Sequence, residues 1–193
     1  MIIINHKVNT IEKLKNTPEE CGVEVDLRPS ATSASKLILN HEPFQEGEDF
    51  EEFLKHYNHK LLILNIKSEG IELKVLELVK KYNIQDYFFL DVSFPFMVKY
   101  INQGLTKFAV RFSEFEAIET CLNLAGKVEW VFVDNITHLP TENNSFNKLK
   151  QHFKLCIVSP ELLKRDNEIE ETKDIIIKYN VDAVLTDHVD RWS

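Results

Sequence analysis

Short apolar runs alternate with amphipathic stretches along the whole 193-residue chain. That alternation restricts the fold more than any other feature, because strands joined by helical crossovers pair in parallel. The apolar runs predict eight strands, at Ile2 to Asn5, Val23 to Leu27, Leu61 to Ile66, Tyr87 to Asp91, Lys107 to Arg111, Trp130 to Asp134, Leu155 to Val158 and Ala183 to Thr186, with an extra short strand at Lys36 to Asn40. Three- and four-residue apolar spacing predicts helices at Asp49 to His59, Ile71 to Tyr82, Pro95 to Gln103, Glu114 to Leu124, Ser145 to His152 and Asn167 to Tyr179, with a brief first helix near Thr10 to Lys15. Eight strand-helix units point to an α/β fold, a small (β/α)8 TIM barrel, and since ~250 residues is typical there the helical layer should be reduced. A doubly wound open sheet competes, but no Gly-rich phosphate loop follows the first strand. No repeat, low-complexity tract or Pro/Gly linker marks a boundary, so residues 1–193 read as a single domain.

In a barrel the reacting groups come from the carboxyl ends of strands. This chain puts polar residues there repeatedly: His6 and Lys7, Glu24 and Asp26, His41, Asn65 and Lys67, then Asp91, Arg111, Asp134, Ser159 with Glu161, and Asp187. Any one of them also suits a helix cap or a turn.

Glu24 and Asp26 are two apart, so on a strand both side chains leave the same face. They repel unless a cation or basic side chains lie between them; hard oxygen ligands suit Mg²⁺ or Ca²⁺, and an ion pair with Arg28, Lys7 or Lys67 is the alternative. His6 and His41 directly follow apolar runs, and two imidazoles can divide general base and general acid roles. Lys67, two residues after Asn65, offers a cationic donor to a phosphoryl oxygen. Arg111 would add a planar fork for the same anion, and either Lys67 or Arg111 would instead pair with Asp91 or Asp134. On residues alone, Lys67 as the Schiff-base nucleophile of a phosphosugar isomerase or aldolase competes with this scheme.

Composition narrows the partners. A net charge of -8 without clustered Lys and Arg argues against nucleic-acid binding, so an anionic substrate needs a local basic site. The run Met1-Ile2-Ile3-Ile4 is too short and too unflanked for a signal peptide, and no stretch approaches a membrane span. Cys21, Cys121 and Cys156 are too widely spaced for a disulfide framework or a zinc site, which fits a reducing cytoplasm. A thin helical layer would leave apolar surface that favours a dimer.

These residues resemble the glycerophosphodiester phosphodiesterase family, within the phospholipase C-like phosphodiesterases. The family's strand-end His-Arg, Glu-x-Asp, His-Asp, acid-x-Lys and closing Thr-Asp read here, in order, as His6-Lys7, Glu24-Val25-Asp26, His41-Glu42, Asn65-Ile66-Lys67 and Thr186-Asp187, with Asn9-Thr10 similar to the end of a Glu-Asn-Thr. The resemblance implies metal-assisted cleavage of a small anionic phosphodiester. Glu24, Asp26 and Asn65 would hold one divalent cation, Mg²⁺ or Ca²⁺, while His6 and His41 exchange protons and Lys67 holds a phosphate oxygen.

Three positions depart from the pattern. Lys7 keeps the charge but loses the bidentate fork; Glu42 replaces an aspartate; Asn65 replaces the third metal carboxylate, so the cation should bind more weakly. The insertion that contacts glycerol in larger members is missing, so a sugar- or polyol-linked diester is an expected substrate as well. The segments Phe89 to Pro95 and Val158 to Glu161 resemble short members associated with bacterial surface-polysaccharide loci. Two alternatives follow: a member that stops at a cyclic phosphate, and a catalytically silent phosphate-binding barrel acting as a binding or assembly partner.

Overall fold

The computed structural model describes residues 1–33 and 36–192. In chain order the strands are β1 (Ile2–Asn5), β2 (Gly22–Pro29), β3 (Leu37–Leu39), β4 (Glu48–Asp49), β5 (Leu62–Ile66), β6 (Tyr87–Leu90), β7 (Ala109–Phe112), β8 (Trp130–Val133), β9 (Lys154–Val158) and β10 (Ala183–Thr186). The helices are α1 (Ile11–Asn16), α2 (Phe50–Leu54), α3 (Glu72–Lys81), α4 (Phe94–Ile101), α5 (Ile118–Leu122), α6 (Ser145–Lys150) and α7 (Ile169–Tyr179), with four short 3-10 turns. They pack as two compact units, Asn5–Val98 and Met1–Ile4 with Lys99–Ser193.

In the unit Asn5–Val98 the strand order is β4-β3-β2-β5-β6. β2 is buried continuously from Gly22 to Leu27, the pattern of a central strand covered on both faces. It runs parallel to β5, pairing Val23 with Leu62 and Asp26 with Asn65, and β5 runs parallel to β6. On its other side β2 meets β3 antiparallel, Leu27 opposite Leu39. Val23, Val25, Leu62, Ile63, Phe50, Phe53 and Phe88 are wholly buried there, each such side chain contributing ~1.5–3 kcal/mol.

The other unit joins Ile2–Ile4 of β1 to a sheet ordered β1-β10-β9-β8-β7. The pairs β10/β9, β9/β8 and β8/β7 are parallel, so their carboxyl ends share one edge. Val131, Val133, Leu155, Cys156, Ile157, Ala183 and Val184 form its core.

The eight expected strands all form, and the extra strand at Lys36 to Asn40 is the antiparallel β3. Five helices match the apolar spacing to within two residues at each end, and two are much shorter. At Asp49 to His59 the helix is capped by the Asp49 carboxylate, which accepts the Glu52 N–H at 3.0 Å, and it stops at Leu54, where the Lys55, His56 and Tyr57 N–H groups bond three residues back instead of four. At Glu114 to Leu124 the Ser113 hydroxyl accepts the Phe115 N–H at 3.2 Å, and Ala117 is extended, which delays α5 to Ile118.

The segment from Asn40 to Gly47, between β3 and β4, is closed at its neck. Asn40 accepts the Glu42 N–H at 2.9 Å, donates to the Glu46 carbonyl at 2.8 Å, and gives its own N–H to the Asp26 carbonyl at 3.0 Å. A Cβ at Gly47 would overlap the Leu39 carbonyl oxygen and lie 2.9 Å from its carbon, so the neck closes only around glycine. Gly47→Ala should therefore destabilise the protein by ~1–3 kcal/mol, read as a lower urea midpoint with an unchanged slope. An unchanged midpoint would mean that the neck opens without loss.

Candidate active site

Four residues expected to carry chemistry, Glu24, Asp26, Asn65 and Lys67, meet at the carboxyl ends of β2 and β5. The β2/β5 register sets Asn65 beside Asp26, and the Asn65 amide donates to Glu24 Oε1 at 2.8 Å. Lys7 adopts a left-handed conformation (φ 49°) just after β1, and its N–H donates to Glu24 Oε2 at 2.8 Å. Asn9 grips Asp26 twice, donating to Oδ2 at 2.8 Å and accepting the Asp26 N–H at 2.9 Å. The Thr10 hydroxyl caps α1 at the Lys13 N–H, and Lys13 Nζ returns to the His6 carbonyl at 2.6 Å. One short segment, His6 to Thr10, is thus wrapped around both carboxylates.

Glu24 is 1% exposed and Asp26 wholly buried. Burial first, and then the Asp26 charge, push the Glu24 carboxyl up to about 7, against the opposing hydrogen bonds from Asn65 and the Lys7 backbone and the charge of Lys67. Lys67 Nζ lies 3.4 Å from Asp26 Oδ1 and 3.4 Å from Asp91 Oδ2. Of the three cations that sequence offered as partners of the acid pair, Lys67 therefore supplies the ion pair, and Lys7 contributes its backbone.

Arg28 bonds differently. Its Nε and Nη2 donate to the His41 carbonyl at 3.2 and 2.9 Å, and its Nη1 donates to the Lys67 carbonyl at 3.0 Å. The His41 ring is half-exposed, and its Nδ1 lies 2.7 Å from Glu42 Oε1. That hydrogen bond holds the exposed Glu42 carboxyl below its ordinary range. Ionised, Glu42 only accepts, so Nδ1 carries the proton and Nε2 is left for exchange.

Two oxygens at the centre, Asp26 Oδ1 and Asn65 Oδ1, are buried without a hydrogen-bond partner. Together with Glu24 they form a set of hard oxygen donors, two carboxylates and one amide, whose chemistry fits a divalent cation. Among the described residues no group of three His, Cys, Asp or Glu side chains is arranged for a metal, so the third donor here would be the amide.

The expected strand-end residues of the second half fall in the other unit. Arg111 is ion-paired with Asp134 and lies over the Phe132 ring, 5.1 Å from its centroid. Glu161 is buried and accepts from the Ser159 and Thr186 hydroxyls, while Thr186 Oγ1 accepts the His188 N–H at 2.9 Å. Asp187 is exposed. The roles of Arg28, Asn40 and Lys13 escaped sequence reasoning. Arg28 alone left a signal, since Glu24, Asp26 and Arg28 share one face of β2.

The fold has close counterparts among solved structures. A glycerophosphodiester phosphodiesterase from Agrobacterium tumefaciens is similar with a TM-score of 0.70 at 13% identity, over 100% of this chain and 98% of that one. An Oleispira antarctica phosphodiesterase, solved with the product sn-glycerol-3-phosphate, gives 0.71 at 13% identity over 97% and 93%. A tryptophan synthase α-subunit from Pyrococcus furiosus gives 0.60 at 11% identity over 97% and 87%. No family model matches the chain, and no curated protein matches it. The fold class is the expected one, an α/β barrel with a reduced helical layer, and it is the fold of glycerophosphodiester phosphodiesterases. No helix among the described residues is long and apolar enough to cross a membrane.

The raised Glu24 carboxyl fixes the sign of a pH effect. The unfolded chain releases this proton near the ordinary 4.5 and the folded protein only near 7, so between them the folded state binds more protons. Stability in a chelator should then fall as pH rises through that window, with a slope of up to ~1.4 kcal/mol per pH unit. Urea unfolding across pH should show a flatter profile in Glu24→Gln; an equal slope in the variant would assign the effect to other groups.

Proposed function

We propose that this chain is a divalent-metal-dependent phosphodiesterase acting on a small anionic phosphodiester, glycerophosphodiester-like or sugar- or polyol-linked. The observation that carries this reading is the buried Glu24–Asp26 pair on β2, ion-paired with the Lys67 ammonium, with an Asp26 and an Asn65 oxygen that accept no hydrogen bond. The sn-glycerol-3-phosphate seen with the Oleispira enzyme supports a small phosphoester as the ligand class.

Glu24, Asp26 and the Asn65 amide oxygen would hold the cation, whose chemistry when bound is to neutralise charge on the non-bridging phosphoryl oxygens. The chain's own groups supply the rest. Lys67, oriented by Asp26 and Asp91, holds a phosphate oxygen. His41 exchanges a proton at Nε2 while Glu42 keeps Nδ1 protonated, and His6 serves as the second exchanging group. In a substrate with a hydroxyl beside the phosphate, one imidazole takes that hydroxyl's proton as its oxygen bonds phosphorus. The other protonates the departing alkoxide, giving a cyclic phosphate and an alcohol. Water opens the ring with the two roles reversed, unless the cyclic phosphate is released first.

Two features favour a second reading. The Asn65 amide nitrogen faces Glu24, and Lys7 stands where the family pattern has arginine, which together support a silent phosphate-binding barrel.

Calorimetric titration of the metal-free protein with Mg²⁺, Ca²⁺ and Mn²⁺, in wild type, Glu24→Gln and Asp26→Asn, separates the two. Under the enzymatic reading wild type binds a cation and both variants lose it. Phosphorus NMR then detects turnover of glycerophosphodiesters, and His41→Ala lowers kcat by ~10²–10⁴. Inorganic phosphate binding without metal or turnover would leave the silent barrel.

A further inference from the structure

We propose that Arg28 is a positioning residue, a strut that fixes the His41 backbone relative to the Lys67 backbone so that proton exchange and phosphate holding meet at one phosphorus; this rests on the reading just given. β3 and β5 flank β2 on opposite sides, and the segments carrying His41 and Lys67 leave from those two flanking strands. Arg28 stands on the strand between them, one residue past the Leu27–Ile66 end of the β2/β5 ladder. Its guanidinium reaches both ways: two N–H groups converge on the His41 carbonyl, and a third goes to the Lys67 carbonyl.

Planarity is what makes this a strut. The guanidinium fork holds its donors in fixed directions, so the two carbonyls cannot drift independently while all three bonds persist. An ammonium on a flexible stem keeps the charge but fixes no such angle. His41 needs the support, because its side chain is 43% exposed and packing does not orient it. Glu42 holds one ring nitrogen, but Glu42 belongs to the same segment, so that bond orients the ring only relative to its own loop. The Arg28 bonds tie that loop to Lys67. The Asp26 and Glu24 carboxylates meet Asn9, Asn65, Lys7 and Lys67, which leaves the guanidinium to the carbonyls.

The test compares wild type, Arg28→Gln and Arg28→Lys, each checked for folding by its unfolding midpoint. The first readout needs no substrate: backbone ¹⁵N relaxation at His41 and Lys67. Wild type should show both amides as rigid as the β2 strand, and both variants should show added motion at both. The second readout is kinetic, on the glycerophosphodiester turned over by wild type: kcat falls ~10–100-fold in both variants with KM unchanged. If Arg28→Lys restores wild-type kcat or backbone rigidity, the residue acts through charge and the strut is overturned. Unchanged relaxation at both amides in folded Arg28→Gln overturns it equally, and should that variant not fold, the Arg28→Lys relaxation decides alone. Added motion in the variants of a protein whose wild type turns nothing over upholds the strut while refuting the enzymatic reading.

Discussion

Two carboxylates two residues apart in a buried strand are the constraint around which the first half of this chain is arranged. Glu24 and Asp26 have lost nearly all their water, and charge so placed is tolerated only when donors replace the solvent. The donors come from separate stretches of sequence: the Lys7 backbone, the Asn9 amide, the Asn65 amide and the Lys67 ammonium. Each contact therefore fixes a segment as well as a charge. The turn after β1 is held by Glu24, the start of α1 by Asp26, and the end of β5 by both acids.

The parts of this arrangement that were legible in sequence are those with a period or a spacing. The strands were readable because apolar runs bounded by polar ends leave few other fates, and Glu24 facing with Asp26 follows from the two-residue pleat. Helix extents were readable to within two residues except in α2 and α5. There the backbone tightens after Leu54 and the Ser113 hydroxyl diverts it before α5, and apolar spacing is blind to both. Ionic partners were legible only as sets of alternatives: Arg111 had Asp91, Asp134 or a phosphate to choose from, and the fold gives it Asp134. Arg28 was misjudged for a different reason. Its acceptors are backbone carbonyls, which every residue carries and no sequence pattern marks.

The fold by itself assigns little chemistry. The same architecture that matches phosphodiesterases also matches a tryptophan synthase α-subunit over nearly the whole chain. What separates the possibilities is the content of the strand ends. A Schiff-base role for Lys67 calls for an ammonium that loses its proton readily, usually by desolvation or a neighbouring cation. Lys67 instead lies 3.4 Å from a carboxylate oxygen of Asp26 and of Asp91, an ion-pairing geometry that presents it as a donor to an anion.

Under the proposed metal-dependent reading, two demands meet at Asn65, stabilising the buried acid pair and holding a cation. A carboxylate at this position would stand beside Glu24, whose proton is already held to about pH 7 by burial and by Asp26, and a third charge would deepen that repulsion. The amide removes the charge and adds a donor, so Glu24 is hydrogen-bonded by Asn65 and the Lys7 backbone without a metal ion. The same exchange weakens the pull on any cation, since one negative charge is gone and the amide nitrogen is turned toward the pair. The amide oxygen keeps a lone pair directed into the buried centre with nothing to meet it. On the proposed metal-dependent reading, the affinity of this site would be set by how far one neutral oxygen can stand in for a carboxylate.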